Sequence, residues 1–337
     1  MKALRLHGPS DLRLGDEAEP SPGEGEILVD VTAVGLCGSD RHWVVEGAIG
    51  DAALQAPLVL GHEFAGVVAS GPRAGERVAL DPAAPCGRCA VCASGLPHLC
   101  PDIRFAGHGS TDGALRTRIA WPERLAHPLP DAIPDAEAAL LEPLGVALHA
   151  LELGHIRART TAGVFGCGPI GLLILQALRA SGADAVVASD PLPHRRAAAE
   201  RSSGARAVGP DQLADVRLPG GTGVDVAFEA AGTDEALADA IEAARPGGRV
   251  VLVGIPDGDR TSFTASAARR KGLTLLLCRR MTPESLPDAI ALAGAGRVDL
   301  AGLIGERHPL QEWEQAFAAL VERRTLKVVV EPQRDRS

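Results

Sequence analysis

The sequence predicts an α/β protein of two domains: a β-rich domain, and a doubly wound parallel sheet flanked by helices. Three observations predict it. The chain has 337 residues, more than one ordinary core holds, and its length suggests roughly two domains. Up to about residue 130, short β-like runs alternate with turns rich in Gly and Pro. From Thr160 onward, apolar strand-like runs alternate with helix-like runs, the pattern of a parallel sheet with crossover helices.

In the first part, EILVDVTAVG (26–35), FAGVVAS (64–70) and ERVAL (76–80) read as strands bounded by turn residues. A helical segment follows, DAEAALLEPLGVALHALEL (135–153). TAGVFG is then a strand leading into the helix PIGLLILQALRASG. The strand AVVASD, the helix PHRRAAAERSSG, and the runs VDVAFEA, EALADAIEAA, RVVLVG and LTLLLC (273–278) continue the alternation. After Cys278 the pattern is mixed and ends in the strand-like LKVVVEP.

Composition narrows the function classes. Hydrophobic residues make up 46% of the chain, enough for substantial cores, and the net charge is −9 with no basic cluster, which argues against nucleic-acid partners. The N-terminus lacks an apolar signal core. The apolar run from Ala162 to Leu175 is broken by Gly and Pro and falls short of the ~18 residues a membrane span needs. The expectation is a cytoplasmic protein without a membrane partner. Seven cysteines in such a chain point to metal or catalysis before disulfides.

GVFGCGPIG places Gly166, Gly168 and Gly171 in a G-x-G-x-x-G pattern between a strand and a helix, the context that gives this motif meaning. Gly166 permits the tight turn, Gly168 lets backbone approach a pyrophosphate, and Gly171 lets the helix lie close to the sheet. Pro169 and Ile170 complete the turn, where a helix N-terminus offers N–H groups to phosphate. The next strand ends at Asp190, whose carboxylate can accept hydrogen bonds from ribose hydroxyls and would repel a 2′-phosphate. This Rossmann-type site therefore favours NAD over NADP, while Arg195 and Arg196 just beyond pull the other way.

CGRCAVCASGLPHLC places Cys86, Cys89, Cys92 and Cys100 in C-x2-C-x2-C-x7-C spacing. Such a loop can wrap four thiolates around a tetrahedral zinc, a closed and hence structural site. An iron–sulfur cluster and disulfides are the alternatives; the bacterial ferredoxin run has three residues, not seven, before its last cysteine.

The remaining candidates are scattered: Cys37 in LCGSDRHW, His62 and Glu63 in LGHEFAG, and Glu142 in LLEPLG. Taken singly, each has an ordinary reading as a core thiol, a loop histidine or a solvated carboxylate. Taken together, CGSD (37–40), GHEFAGVVASGPRAGERV (61–78), the four-cysteine lobe, EPLGVALHA (142–150) and GCGPIG (166–171) occur in the order of one family. The chain resembles the zinc-dependent medium-chain dehydrogenases, especially their polyol (sorbitol-type) branch.

The resemblance implies a GroES-like catalytic domain of residues 1–144 and 280–337, and a Rossmann coenzyme domain of residues 145–279. It implies two Zn2+ per chain, one catalytic and one structural, and NAD-linked, reversible oxidation of a secondary alcohol to a ketone. Cys37 and His62 would ligate the catalytic zinc, with Glu63 as third ligand and Glu142 holding water or replacing Glu63. Neighbours on a regular strand point to opposite faces, so His62 and Glu63 can share an ion only if the chain bends, as Gly61 permits. Otherwise Glu63 would orient His62. Ser39 would take the substrate proton and His42 would pass it to solvent.

The alcohol itself is less legible. CGSD and EPLGVALHA are similar to the polyol pattern rather than the threonine one. Trp43 stands where that branch carries tyrosine, and the chain has no tyrosine at all. Arg279 matches a substrate-binding arginine, Arg280 does not, and Phe105 and His108 are further pocket candidates. An amino alcohol, a cyclitol or a simple secondary alcohol are the alternative substrates, and a non-catalytic nucleotide-binding relative is the remote one. The resemblance also implies a homotetramer or homodimer, with LTLLLC as one joining edge.

Overall fold

The run EILVDVTAVG forms the ten-residue strand Glu26–Gly35, around which the first unit is organised. The computed structural model describes residues 1–216 and 221–334. It divides the chain into two units. The first comprises Met1–Glu142, Thr282–Ala295 and the residues from Leu300 on; the second comprises Pro143–Met281 and Gly296–Asp299.

In the first unit, a sheet runs in the order Ala126–Pro128, Arg77–Leu80, Glu63–Val68, Glu26–Gly35, Lys327–Glu331, Ile304–Pro309, with Arg118–Pro122 also paired to Glu26–Gly35. Valines dominate these strands, as suits residues whose branched side chains pack on a pleated surface. Leu4, Val29, Val31, Phe64, Leu80, Ile119 and Trp121 are among the buried residues of the core beneath it. Trp121 satisfies its one donor inside that core by giving Nε1–H to the Asp81 carbonyl at 2.8 Å. Gly66 is needed for close strand approach, since a Cβ there would lie 2.3 Å from the Asp30 carbonyl oxygen.

Register brings three chain ends to one edge of this sheet. Gly35 pairs with Glu63 on one side and with Val329 on the other. Cys37, His62, Glu63 and Lys327, far apart in sequence, therefore meet at that edge.

The second unit carries six parallel strands in the order Arg206–Val208, Asp184–Ser189, Thr161–Phe165, Val224–Glu229, Ala244–Leu252, Thr274–Leu277. Ranked by chain position this is 3-2-1-4-5-6, the doubly wound dinucleotide-binding order with its switch point beside the first strand. Phe165, Val187, Ala227, Leu237, Ile241 and Val250 are buried in its core. Among the described residues, no helix is long and apolar enough to cross a membrane. The helical stretch expected over 135–153 is two helices, Asp135–Ala138 and Leu141–Leu153.

Candidate active site and metal centres

Cys37 follows the strand Glu26–Gly35 and caps the helix Gly38–Glu46 from an extended conformation, φ −102°, ψ 161°. Gly61 sits at φ +91° immediately before His62, and the regular strand begins only at Glu63. Glycine adopts this left-handed region freely, and a Cβ there would come within 2.8 Å of Val34 Cγ1. The bend removes the alternation that would separate neighbouring side chains. Ligand-type atoms of Cys37, His62 and Glu63 lie within 4.8 Å of one another.

Glu142, in the first turn of Leu141–Leu153, is buried but is not part of that three-residue cluster. Burial, with Glu63 and Cys37 adding to it, pushes its pKa up to about 8. Burial and the Glu63 charge push the Cys37 thiol up to about 12. A thiol, an imidazole and a carboxylate in one buried spot match the donors zinc accepts, and three protein ligands leave a tetrahedral ion one open position. A metal would add further positive charge beside these acids.

Two further residues complete the cluster, and sequence reasoning missed both. Asp40 is fully buried. One of its oxygens accepts the Cys37 backbone N–H at 2.9 Å. The other accepts the Gly61 N–H at 3.3 Å and lies 3.8 Å from His62 Nδ1. Asp40 thus ties the two ligand-bearing segments together and sets a carboxylate on the Nδ1 side of His62, at ion-pair rather than hydrogen-bond distance.

The second is Lys327, buried and ion-paired with Glu63. Burial disfavours its ammonium, but Glu63 and Cys37 outweigh that and hold its pKa above the ordinary lysine value. Gly35 makes room for the pair: a Cβ there would fall 2.2 Å from Glu63 Oε2 and 3.0 Å from Lys327 Cε. One signal was available. The chain holds only three lysines, Lys2, Lys271 and Lys327, among its 34 basic residues.

Ser39 Oγ lies 3.4 Å from His62 Nε2. His42 is buried, and its Nδ1 is 2.9 Å from Glu46 Oε1, one helical turn on. Aromatic rings wall this region. Phe105 and His62 have ring centroids 5.5 Å apart, and Trp43 and His108 have theirs 5.4 Å apart. Arg279 is exposed in the second unit, just after the strand Thr274–Leu277, and Arg280 beside it sits at φ +60°.

The four-cysteine loop also closes on one point. Sγ of Cys89 is 3.5 Å from that of Cys92 and 3.9 Å from that of Cys100, which is 3.5 Å from that of Cys86. All four lie within 4.8 Å. The edges of a tetrahedron with ~2.3 Å Zn–S bonds are about 3.8 Å, so one ion fits the centre. The separations far exceed a disulfide's ~2.05 Å, and all seven cysteines are free.

In the second unit, Gly166 turns at φ +102°, and a Cβ there would lie 2.6 Å from the Ala231 nitrogen. A Cβ at Gly171 would lie 1.9 Å from the Gly166 carbonyl oxygen, so the helix Pro169–Ala180 packs hard against the turn. At Gly168 the same atom would meet only Arg195 Nη1 at 3.7 Å, leaving the backbone open to an approaching ligand. Pro169 and Ile170 form the first turn of that helix, capped by Gly168. Asp190 is buried; its two oxygens accept the Cys167 and Leu192 N–H groups, each at 2.8 Å, and Arg195 Nη1 is 3.8 Å away.

The fold and these clusters define a zinc-binding dehydrogenase. Residues 23–131 match the alcohol dehydrogenase GroES-like domain and residues 169–295 the zinc-binding dehydrogenase domain. The chain is 31% identical to a sorbitol dehydrogenase of Bacillus subtilis over 99% of its length and 98% of the relative's. It is 32% identical to an L-idonate 5-dehydrogenase of Vitis vinifera, covering 94% of this chain and 90% of that one. A zinc-binding dehydrogenase from Sinorhizobium meliloti 1021, solved bound to NADP, superposes with a TM-score of 0.88 at 30% identity, covering 98% of this chain and 99% of the other. The chain belongs to the zinc-dependent medium-chain dehydrogenase family, in its polyol branch. It is an oxidoreductase of the alcohol dehydrogenase type, for which zinc and a nicotinamide cofactor are the expected partners.

Proposed function

We propose that the protein oxidises a secondary alcohol of polyol type to a ketone, reversibly, with NAD as coenzyme and two zinc ions per chain. The observation that carries this is the convergence of Cys37, His62 and Glu63 within 4.8 Å. These three would hold the catalytic zinc, and Cys86, Cys89, Cys92 and Cys100 the structural one. Bound zinc supplies Lewis acidity toward an alcohol oxygen, and the nicotinamide supplies the hydride acceptor.

The chain's own residues do the rest. Ser39 Oγ, beside His62, accepts the substrate's hydroxyl proton as it hands its own onward, and His42, held by Glu46, releases a proton to solvent. An imidazole suits such a relay because one ring nitrogen can take a proton as the other gives one up. Glu142 keeps a carboxyl at the edge of the cluster, where it holds water until substrate arrives. Trp43, Phe105 and His108 shield this region from bulk water. Arg279 donates to substrate hydroxyls.

Residues 1–144 and 280–337 act as the catalytic domain and 145–279 as the coenzyme domain. Gly166, Gly168, Pro169, Ile170 and Gly171 cradle the pyrophosphate, and Asp190 selects NAD by repelling a 2′-phosphate. We also propose a cytoplasmic homotetramer or homodimer joined partly through Thr274–Leu277. That edge strand exposes Leu277 at 80%, a row of unpaired backbone groups that association would cover.

Zinc content together with NADH formation on a panel of polyols tests the reading. Two zinc ions per chain with turnover on polyols supports it. Turnover confined to amino or simple alcohols favours the second reading, to which the apolar Trp43–Phe105 wall and the lack of tyrosine lend weight. No turnover on any alcohol overturns both. Within the active enzyme, Ser39→Ala should lower kcat about a hundredfold and His42→Ala far less; near-wild-type rates in both would remove the relay.

A further inference from the structure

The second unit carries a cavity of about 480 Å3 that the dehydrogenase chemistry leaves unused. His155, Arg157, Arg159, Arg245 and Arg249 line it, with Asp225 the only acid among the described residues. It lies where Thr161–Phe165 and Val224–Glu229 begin, the opposite end of the sheet from the Gly166 turn. Dinucleotides bind at the carboxyl ends of such strands, so this cavity is a separate place.

Its charges are unbalanced. Asp225 is fully engaged: Oδ1 accepts Arg245 Nε at 2.7 Å, and Oδ2 accepts the Thr161 N–H at 2.9 Å and hydroxyl at 2.8 Å. That settles the charge of Arg245. Arg157, Arg159 and Arg249 have no carboxylate within ion-pair distance among the described residues. Arg5, Arg77, Arg118 and Arg307, by contrast, each have a neighbouring acid. Arg157 and Arg159 are exposed and Arg249 is half-buried, so three guanidiniums without acid partners gather at one accessible opening, where a multivalent anion would meet converging positive charge.

The segment presenting two of these cations is held in an unusual backbone. His155 lies at φ +53° and Arg159 at φ +68°, a region non-glycine residues rarely adopt. The turn is pinned there by the Arg159 N–H to the Gly182 carbonyl at 2.7 Å and by the Arg157 N–H to Thr160 Oγ1 at 3.0 Å. Backbone of this kind is retained where it positions groups for a task.

We propose that this cavity binds a multivalent oxyanion of the phosphate class, free or carried on a small metabolite. Planar guanidiniums meet phosphate oxygens in pairs of parallel hydrogen bonds. A cleft of about 480 Å3 has room for two linked phosphate groups. The lining is too polar for an apolar ligand.

Calorimetric titration of pyrophosphate into the zinc-loaded enzyme, saturated with dinucleotide to block the Gly168 turn, tests this. Inorganic phosphate and a sugar phosphate form parallel arms. The expected result is one pyrophosphate per chain, bound more weakly at high salt as charge screening requires. Affinity should fall at least about tenfold in Arg157→Gln/Arg249→Gln. The charge-keeping Arg157→Lys/Arg249→Lys pair should lose less, which guards against a folding defect. Tighter binding of the sugar phosphate would support the site and identify an esterified phosphate as its ligand. No binding of any probe, or equal binding by wild type and the Gln double variant, would overturn the proposal.

Discussion

The first unit holds two clusters of metal-ligating side chains, and they are built in opposite ways. The four-thiol cluster comes from one short loop, Cys86 to Cys100. Three of its side chains are half-buried and Cys100 is buried, and nearby backbone tunes them. N–H groups of Arg88 and Cys89 pull the Cys86 thiol down to about 6, while burial and the neighbouring thiols push that of Cys92 up to about 12, and the Cys92 N–H points at Cys89 Sγ from 3.4 Å. The Cys37–His62–Glu63 cluster draws on three distant segments, is buried, and pushes its thiol up to about 12. A local loop can be shaped for an ion by backbone alone. A buried, long-range cluster needs partners that fix its geometry and balance its charge, and here these are Asp40 and Lys327.

Four substitutions separate the roles of the two clusters. Cys37→Ala should cost the most: turnover should fall on the order of a thousandfold, since Lewis-acid assistance is worth several kcal/mol. Metal analysis should find one zinc left, on the four thiols. Full activity in that variant would erase the distinction between the two clusters.

Lys327→Met leaves Glu63 as a buried charge without its partner. Breaking a buried pair from one side costs about 3–5 kcal/mol, and denaturant unfolding of the metal-free protein should register it. Unchanged stability would mean that Glu63 is already neutral or solvated.

Asp40→Asn keeps the size but weakens the hold on Cys37, Gly61 and His62. Zinc affinity at the buried cluster should drop about 10–100-fold, with the four-thiol site unaffected. Equal weakening at both sites would point to a general loss of fold.

Cys100→Ser should have the smallest effect on chemistry. One zinc is lost and the melting temperature falls by about 2–4 °C per kcal/mol of lost stability. Turnover per folded molecule should change by less than about tenfold, because a closed site offers no position for substrate. Unaltered zinc content would exclude the loop as a zinc site.

The same contrast explains what the sequence disclosed. The strand–glycine–helix junction at Gly166 and the four-cysteine loop are local patterns, legible from spacing because their geometry is set within about fifteen residues. Strand Glu26–Gly35 was legible from its apolar β-branched run. Cys37, His62 and Glu63 became legible only through resemblance, because sheet register, not spacing, brings them together. Asp40 stood inside a quoted motif, yet its bridging of two segments depends on the Gly61 bend. Lys327 was marked only by the rarity of lysine in the chain; nothing near it in sequence indicates that its strand lies beside Gly35. Arg279 was assigned by resemblance, and its part in binding substrate awaits the polyol panel.

The central claim is that a zinc ion sits among Cys37, His62 and Glu63 in the working enzyme. An anomalous difference map collected at the zinc edge, from crystals of protein shown to be active, tests it most directly. Two peaks per chain are predicted, one centred on the four thiols and one within bonding distance of Cys37 Sγ and His62 Nε2. A single peak in the four-thiol loop of an active preparation would contradict the account.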